Sequence, residues 1–317
     1  MRTVKLLFIL LVLAPCLRLS AQRPSGESLW TSDHPFPTGV SSRQPALAMF
    51  NNTLYAAWIA NDQTRALLIG ARGADGIVPR ARRINGADSS LDEPAMAAFG
   101  NRLCLSWRAN DPSRGIYISC TSDPEATWPA GRRINAVSDV APAMAALGRD
   151  LFIVWRADSR RMHITGSRDG EKWSVGKAIN ELDSTPEAPA VAAFDGRLFV
   201  AFRANDPSNS IFVTSNNKPL DDWSKGKRIN DRDSTPRRPA LAATRGTLYL
   251  TWTADNISHR LFYSSSSDGK KWPYGVVVND AFASLMPPAL AAGPNEACLA
   301  WLGADASRRL HLSCSTE

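Results

Sequence analysis

A Pro-Ala-x-Ala core returns six times in this chain of 317 residues, at Pro45, Pro94, Pro142, Pro189, Pro239 and Pro288, with spacings of 49, 48, 47, 50 and 49. A period of that length is the mark of a solenoid, a propeller or an array, and it constrains the fold more than composition does. After each core comes a short turn, such as Asn51-Asn52 or Asp195-Gly196, and then an apolar run ending in an aromatic, such as Leu54–Trp58, Leu103–Trp107 or Leu198–Phe202. These runs are too short for helices and are apolar on both faces, which suits strands buried between sheets. A third run (Ile116–Cys120, Met162–Gly166, Ile211–Ser215) and a fourth ending in Ile-Asn (Ile84-Asn85, Ile134-Asn135, Ile179-Asn180, Ile229-Asn230) complete the repeat. Four short strands separated by turn signals describe one blade of an all-β, six-bladed β-propeller with four antiparallel strands per blade.

The sixth copy stops after its third strand, at Cys314. The segment before Pro45, with Trp30 and a strand-like stretch to about Val40, matches the fourth-strand part of a repeat. It is therefore predicted to supply the outer strand of the last blade, closing the ring and removing an open edge.

Arg2 and Lys5 precede an apolar run, Leu6 to Leu13, and Leu19-Ser20-Ala21 offers a small-residue cleavage site. Residues 1–21 read as a signal peptide removed near Ala21, leaving 22–317 as a single propeller domain in a secreted or periplasmic setting. The apolar run is too short to span a bilayer, and no later segment is long enough. Its removal takes three cations and no acid from the formal charge of +7, leaving +4. The remaining arginines are scattered among Asp and Asn, so no basic block points to nucleic acid. Four cysteines remain after Cys16; Cys104 and Cys120 are 16 apart, as are Cys298 and Cys314, at the same two positions of copies two and six. Four cysteines permit three pairings. The matched spacing favours Cys104–Cys120 and Cys298–Cys314, in keeping with an oxidising compartment. A zinc site competes for these residues but lacks a Cys-x-x-Cys or His-x-x-Cys companion.

In a four-stranded meander, the loop from strand two to three shares a face with the link from strand four to the next blade. That parity collects Trp107-Arg108-Ala109-Asn110-Asp111, Trp155-Arg156-Ala157-Asp158 and Phe202-Arg203-Ala204-Asn205-Asp206 on one face. It adds the link residues Asn85 with Asp88, Asn135 with Asp139, Asn180 with Asp183, and Asn230 with Asp233. Arginine forks and carboxylates suit vicinal hydroxyls, which both donate and accept. Arg108, Asp111, Arg156, Asp158, Arg203, Asp206, Asn135, Asn180, Asp183, Asn230 and Asp233 are therefore the candidate ligand-binding residues. The aromatics at the strand ends would offer flat surfaces to a sugar ring. The competing assignment is that Asp and Asn cap turns, Arg–Asp pairs bridge blades, and the aromatics pack.

The Pro-Ala-Leu-Ala-x-Phe-x-x-x-Leu-Tyr-x-Ala-Trp opening resembles that of bacterial propeller lectins of the Photorhabdus type, repeat by repeat over nearly the whole chain after the leader. The turns Ser167-Arg168-Asp169-Gly170-Glu171-Lys172-Trp173 and Ser267-Asp268-Gly269-Lys270-Lys271-Trp272 resemble the Asp-box of sialidases, shortened by one residue. There the box is a structural turn whose Asp and Ser tie the backbone and whose Trp packs between strands. The lectin resemblance implies a multivalent carbohydrate-binding protein whose partners are glycans, near-identical sites on adjacent blades giving avidity. A sialidase-like glycosidase is the alternative, with arginines clamping a carboxylate. It would need a nucleophilic tyrosine with a Glu partner, and Tyr55, Tyr117, Tyr249, Tyr263 and Tyr274 fall away from the arginine face. The Phe-Arg-Ile-Pro signature of sialidases is also missing. A protein-interaction scaffold is the third reading. No catalytic residue, metal or cofactor is assigned: there is no serine-hydrolase motif, phosphate-binding Gly loop or calcium pattern, and the four histidines make no cluster.

Overall fold

The computed structural model describes residues 30, 33–73, 81–294 and 296–315; the expected leader, 1–21, lies outside them. The described residues form strands and no helix, arranged as six antiparallel four-stranded sheets. Blade 2 shows the plan: Ala95–Phe99 at the axis, then Arg102–Arg108, Gly115–Thr121 and, outermost, Arg132–Val137. Blades 1 and 3 to 5 repeat it, with inner strands Ala46–Phe50, Ala143–Leu147, Ala190–Phe194 and Ala240–Ala243. Blade 6 takes three strands from the C-terminal end, Ala289–Ala292, Ala297–Leu302 and Arg309–Cys314. Its fourth is His34–Val40, antiparallel to Arg309–Cys314, and Trp30 continues the pairing with a bridge to Ser315. The ring closes through the N-terminal strand, as the incomplete sixth repeat required.

The hydrophobic core is divided into six clusters, one at each interface between neighbouring blades. The seam between blades 6 and 1 has its own, in which Phe36 of the closing strand meets Trp58 at 5.8 Å. Small residues are needed at the axis, where six inner strands converge. The Pro-Ala-x-Ala cores supply them, and they line a central cavity of about 290 Å³. Cys104–Cys120 and Cys298–Cys314 are both formed, each joining directly opposed residues of the second and third strands.

The aromatic that ends each second strand is buried, so it offers no flat surface to a sugar; that expectation is corrected. Trp107 stacks on its cross-strand partner Tyr117, Phe202 on Phe212 and Trp252 on Phe262. The ring then runs on over a glycine just before the fourth strand. A Cβ added at Gly131 would lie 2.3 Å from the Trp107 ring, and one at Gly275 the same distance from Trp252. The Trp-x-x-Gly spacing (Trp128–Gly131, Trp173–Gly176, Trp223–Gly226, Trp272–Gly275) is thus a packing requirement.

The shortened Asp-box turns act structurally, as the resemblance implied. Asp169 Oδ1 accepts from the backbone N–H of Glu171 and Lys172, and Ser167 Oγ accepts from Gly170 N–H. Asp268 and Ser266 repeat the pattern. The Gly170 and Gly269 φ angles of +73° and +65° are left-handed, a conformation glycine adopts without a Cβ penalty.

Gly131→Ala or Gly275→Ala, which drives a methyl into a buried indole, is expected to lower stability by about 1–3 kcal/mol. Gly86→Ala, where nothing lies within 4 Å, changes it little. Thermal unfolding of the three variants checks this.

Candidate functional site

The parity argument places the predicted residues on one face, and the structure shows what each holds there. Asn180 Nδ2 donates to Asp183 Oδ2 at 2.8 Å, while Asn180 Oδ1 accepts from the N–H groups of Leu182 and Asp183. Asp183 Oδ2 also accepts from Gly226 N–H in the next blade at 2.6 Å. Asn230 with Asp233 and Gly275, and Asn85 with Asp88 and Gly131, make the same clamp. Each clamp ties an inter-blade link to the glycine that lies under the neighbouring aromatic. Asn135 and Asp139 are not brought together in this way: Asn135 is exposed within the longer outer strand Arg132–Val137, and Asp139 pairs with Arg156.

The loop acids cap turns. Asp111 Oδ1 accepts from Ser113 N–H and Asp206 Oδ1 from Ser208 N–H; Asp62, Asn256 and Asp305 do the same in blades 1, 5 and 6. Asp158 receives Arg114 of the preceding loop in a bidentate pair at 3.0 and 3.1 Å. The arginines do not stand beside these acids. Arg108 is bound to Asp92 and Arg156 to Asp139, while Arg156 Nη1 also donates to Pro186 O at 2.6 Å. Arg203 Nε donates to Asn209 Oδ1 at 2.9 Å.

Polar groups of another kind gather at the axis on the same face. A cavity of about 140 Å³ opens there, lined by Arg43, Gln44, Asp92, Glu93, Glu187 and Arg237 together with Val140, Ala141, Ala188, Met286 and Pro287. All come from the two or three residues before the Pro-Ala cores, where each link turns into an inner strand. Arg238 of blade 5 meets Glu93 of the opposite blade 2 at 3.2 Å, both nearly buried. This ion pair is a crossbar over the central channel. It is a contact of charge rather than a directed hydrogen bond, since Arg238 Nε has no aligned acceptor among the described residues.

Gln44 is 0% exposed, and neither Nε2 nor Oε1 has a hydrogen-bond partner among the described residues. An unsatisfied buried polar group costs about 1–3 kcal/mol, so native proteins nearly always give it a partner. In the lining of the same cavity, burial pushes the Glu187 carboxyl above the usual carboxylate range, outweighing Arg237 and Arg203. Asp92 is raised as well, by burial and by the neighbouring charge of Glu93, against the pull of Arg108. Arg43 is partly exposed, and Arg237 lies exposed at the rim. The mouth thus combines an orphaned amide, two acids inclined to hold a proton, and cations at its edge.

Sequence reasoning missed this set because it followed what recurs. The residues before each Pro-Ala core differ from copy to copy: Arg43-Gln44, Asp92-Glu93, Val140-Ala141, Glu187-Ala188, Arg237-Arg238 and Met286-Pro287. Such variation at a position that the fold brings to a common axis was the available signal.

No protein-family model matches the sequence, and no curated protein does. Solved structures match it by fold. A Dyadobacter fermentans DSM 18053 protein of unknown function aligns with a TM-score of 0.68 at 10% identity, over 90% of this chain and 98% of that one. The Hadza microbial sialidase Hz136 aligns at 0.65 and 15% identity, over 86% of this chain. The Trypanosoma rangeli sialidase, solved with 2,3-difluorosialic acid as a covalent intermediate, aligns at 0.59 and 11% identity, over 87% of this chain. The alignments span 65% and 54% of those two sialidases. At such identities the likeness establishes the fold alone, a β-propeller.

An acid with a raised folded-state pKa carries no penalty below its ordinary value, here 4.5, and a growing one as pH climbs through the raised value. Glu187→Gln is therefore expected to raise the thermal midpoint at about pH 8 and to leave it unchanged at about pH 4. Midpoints of both proteins across that range check the sign.

Proposed function

We propose that this chain is a secreted carbohydrate-binding protein whose site is the axial mouth, on the face that carries the Trp-Arg-Ala-Asn-Asp loops. One observation carries the reading: Gln44 lines this cavity with a fully buried amide that has no hydrogen-bond partner at either atom among the described residues, and the other polar walls are arginines and carboxyls. The side chain must turn toward the cavity to be satisfied by a guest, which must then accept from Nε2 and donate to Oε1 side by side, as a hydroxyl-rich ring does and a purely anionic or purely apolar group does not. The cavity is smaller than the roughly 300–1,000 Å³ of drug-sized sites, so it suits the end of a glycan rather than a run of residues. The polar groups that recur from blade to blade are engaged in turns and blade ties. The reading therefore centres on one axial site, in which Arg108 holds Asp92 and the charge of Arg203 acts on Glu187. The resemblance to propeller lectins and the carbohydrate-acting proteins among the fold's relatives support it. The expected leader and the two disulfides suit export to an oxidising compartment.

The raised Glu187 and Asp92 favour a second reading, a glycoside hydrolase, because such enzymes hold one carboxyl protonated as the general acid. No tyrosine is among the residues that line the mouth, so a sialidase-type nucleophile has no place in this version.

A glycan array followed by calorimetry tests the first reading. Wild type is expected to bind a subset of simple glycans, and Gln44→Leu to lose about tenfold or more in affinity. The same variant is expected to keep or gain thermal stability, because it removes an orphaned polar group. Absence of binding by wild type, or unchanged binding by Gln44→Leu, overturns it. Turnover of fluorogenic glycosides that disappears in Glu187→Gln would establish the hydrolase instead.

A further inference from the structure

The two disulfides occupy the same repeat position but have different neighbours. In blade 1, Arg72 follows the third strand, Leu67–Ala71, at the register where blade 3 has Ser167 and blade 5 has Ser266 of the Asp-box turns. Its guanidinium crosses the seam into blade 6. Nη2 donates to Glu296 Oε1 at 2.6 Å and Nη1 to Glu296 Oε2 at 3.2 Å. Nη1 also lies 2.8 Å from Cys314 Sγ and 3.4 Å from Cys298 Sγ. In blade 2 the position of Glu296 is taken by Arg102, which turns away to donate to Asp169 O at 2.7 Å. The Asp169-Gly170 turn of blade 3 covers that bond, and a Cβ added at Gly170 would sit 3.8 Å from Cys120 Sγ. No guanidinium is bonded to Cys104 or Cys120 among the described residues.

We infer that Arg72 makes Cys298–Cys314 a reduction-sensitive latch on the ring's seam, opened by low-molecular-weight thiols, while Cys104–Cys120 is inert. A thiolate of the reductant attacks Cys314 Sγ, the sulfur nearer the guanidinium and in the residue that is partly exposed where Cys298 is buried. The Sγ–Sγ bond breaks, and its electron pair leaves on Cys298 Sγ as a thiolate. Arg72 Nη1 stabilises that charge, as cations beside cysteine do, and a better leaving thiolate speeds the exchange. A second reductant thiolate then attacks the reductant sulfur of the mixed disulfide and releases Cys314. The reductant leaves as its own disulfide, two electrons have passed to the protein, and solvent supplies the protons. The strand that loses this cross-link on one side, Arg309–Cys314, is the one that holds His34–Val40 on the other. The latch is independent of what the axial mouth binds.

The test exposes the native protein to dithiothreitol at fixed pH, quenches by alkylation and follows each cysteine by mass spectrometry. Cys298–Cys314 is expected to open first, and Arg72→Gln to slow its opening by roughly three- to tenfold. Equal rates at the two bonds overturn the inference. So does faster opening in Arg72→Gln, which is the result if Arg72 only holds blade 6 to blade 1. Glu296→Gln leaves the guanidinium on the sulfurs and removes the charge that partly cancels it, so opening should be faster than in wild type; slower opening overturns the inference as well.

Discussion

Everything in this ring depends on the antiparallel pairing of His34–Val40 with Arg309–Cys314. Six sheets packed face to face around an axis are stable against splaying only if the last is held to the first, and an unpaired outer strand would leave both an open edge and a gap in the core. Here one short strand contributes to both. Its backbone completes the sheet of blade 6, and Phe36 enters the cluster shared with blade 1. Arg72 adds a charged tie from blade 1 to Glu296 across the same seam, on the end of the blade that the Cys298–Cys314 bond already staples.

Inside the closed ring, two packing demands determine where polar chemistry is possible. The first is the aromatic ladder in each blade, a ring from the second strand stacked across the third and over a glycine. It uses the tryptophans for core and leaves the clamps of Asn85–Asp88, Asn180–Asp183 and Asn230–Asp233 to hold the glycine backbone in place. The second is convergence at the axis, which admits little more than alanine along the inner strands. Polar side chains can meet there only where those strands begin. That is where Gln44, Asp92, Glu93, Glu187, Arg237 and Arg238 collect, and where the Arg238–Glu93 crossbar separates the mouth from the channel below.

The two halves of the polar face therefore differ in kind. Loop groups such as Asp111, Asp206 and Asp305 satisfy their own turns within two residues, and exposed bridges such as Arg114–Asp158 contribute little to stability. Among the axial groups, Arg43 meets Asp92 of the next blade and Arg238 meets Glu93 of the opposite one, in surroundings where desolvation is strong enough to shift Asp92 and Glu187 upward. Low local polarity strengthens each interaction within such a small set of side chains.

Much of the architecture was legible in the sequence because it repeats. The period set the blade count, the truncated sixth copy called for an N-terminal closing strand, and the equal spacing of Cys104–Cys120 and Cys298–Cys314 indicated their pairing. Local chemistry was readable too, since the Asp-box turns and the capping acids act within a few residues of themselves. The tertiary structure alone decided which polar groups remain uncommitted. Arg108 and Asp111 are three residues apart yet have different partners, and Glu93 finds Arg238 from the opposite blade. Gln44 is left without a hydrogen-bond partner among the described residues only where six inner strands converge around it. Turn geometry acts over neighbouring residues and is written in their order, whereas burial at the axis is a property of the closed ring.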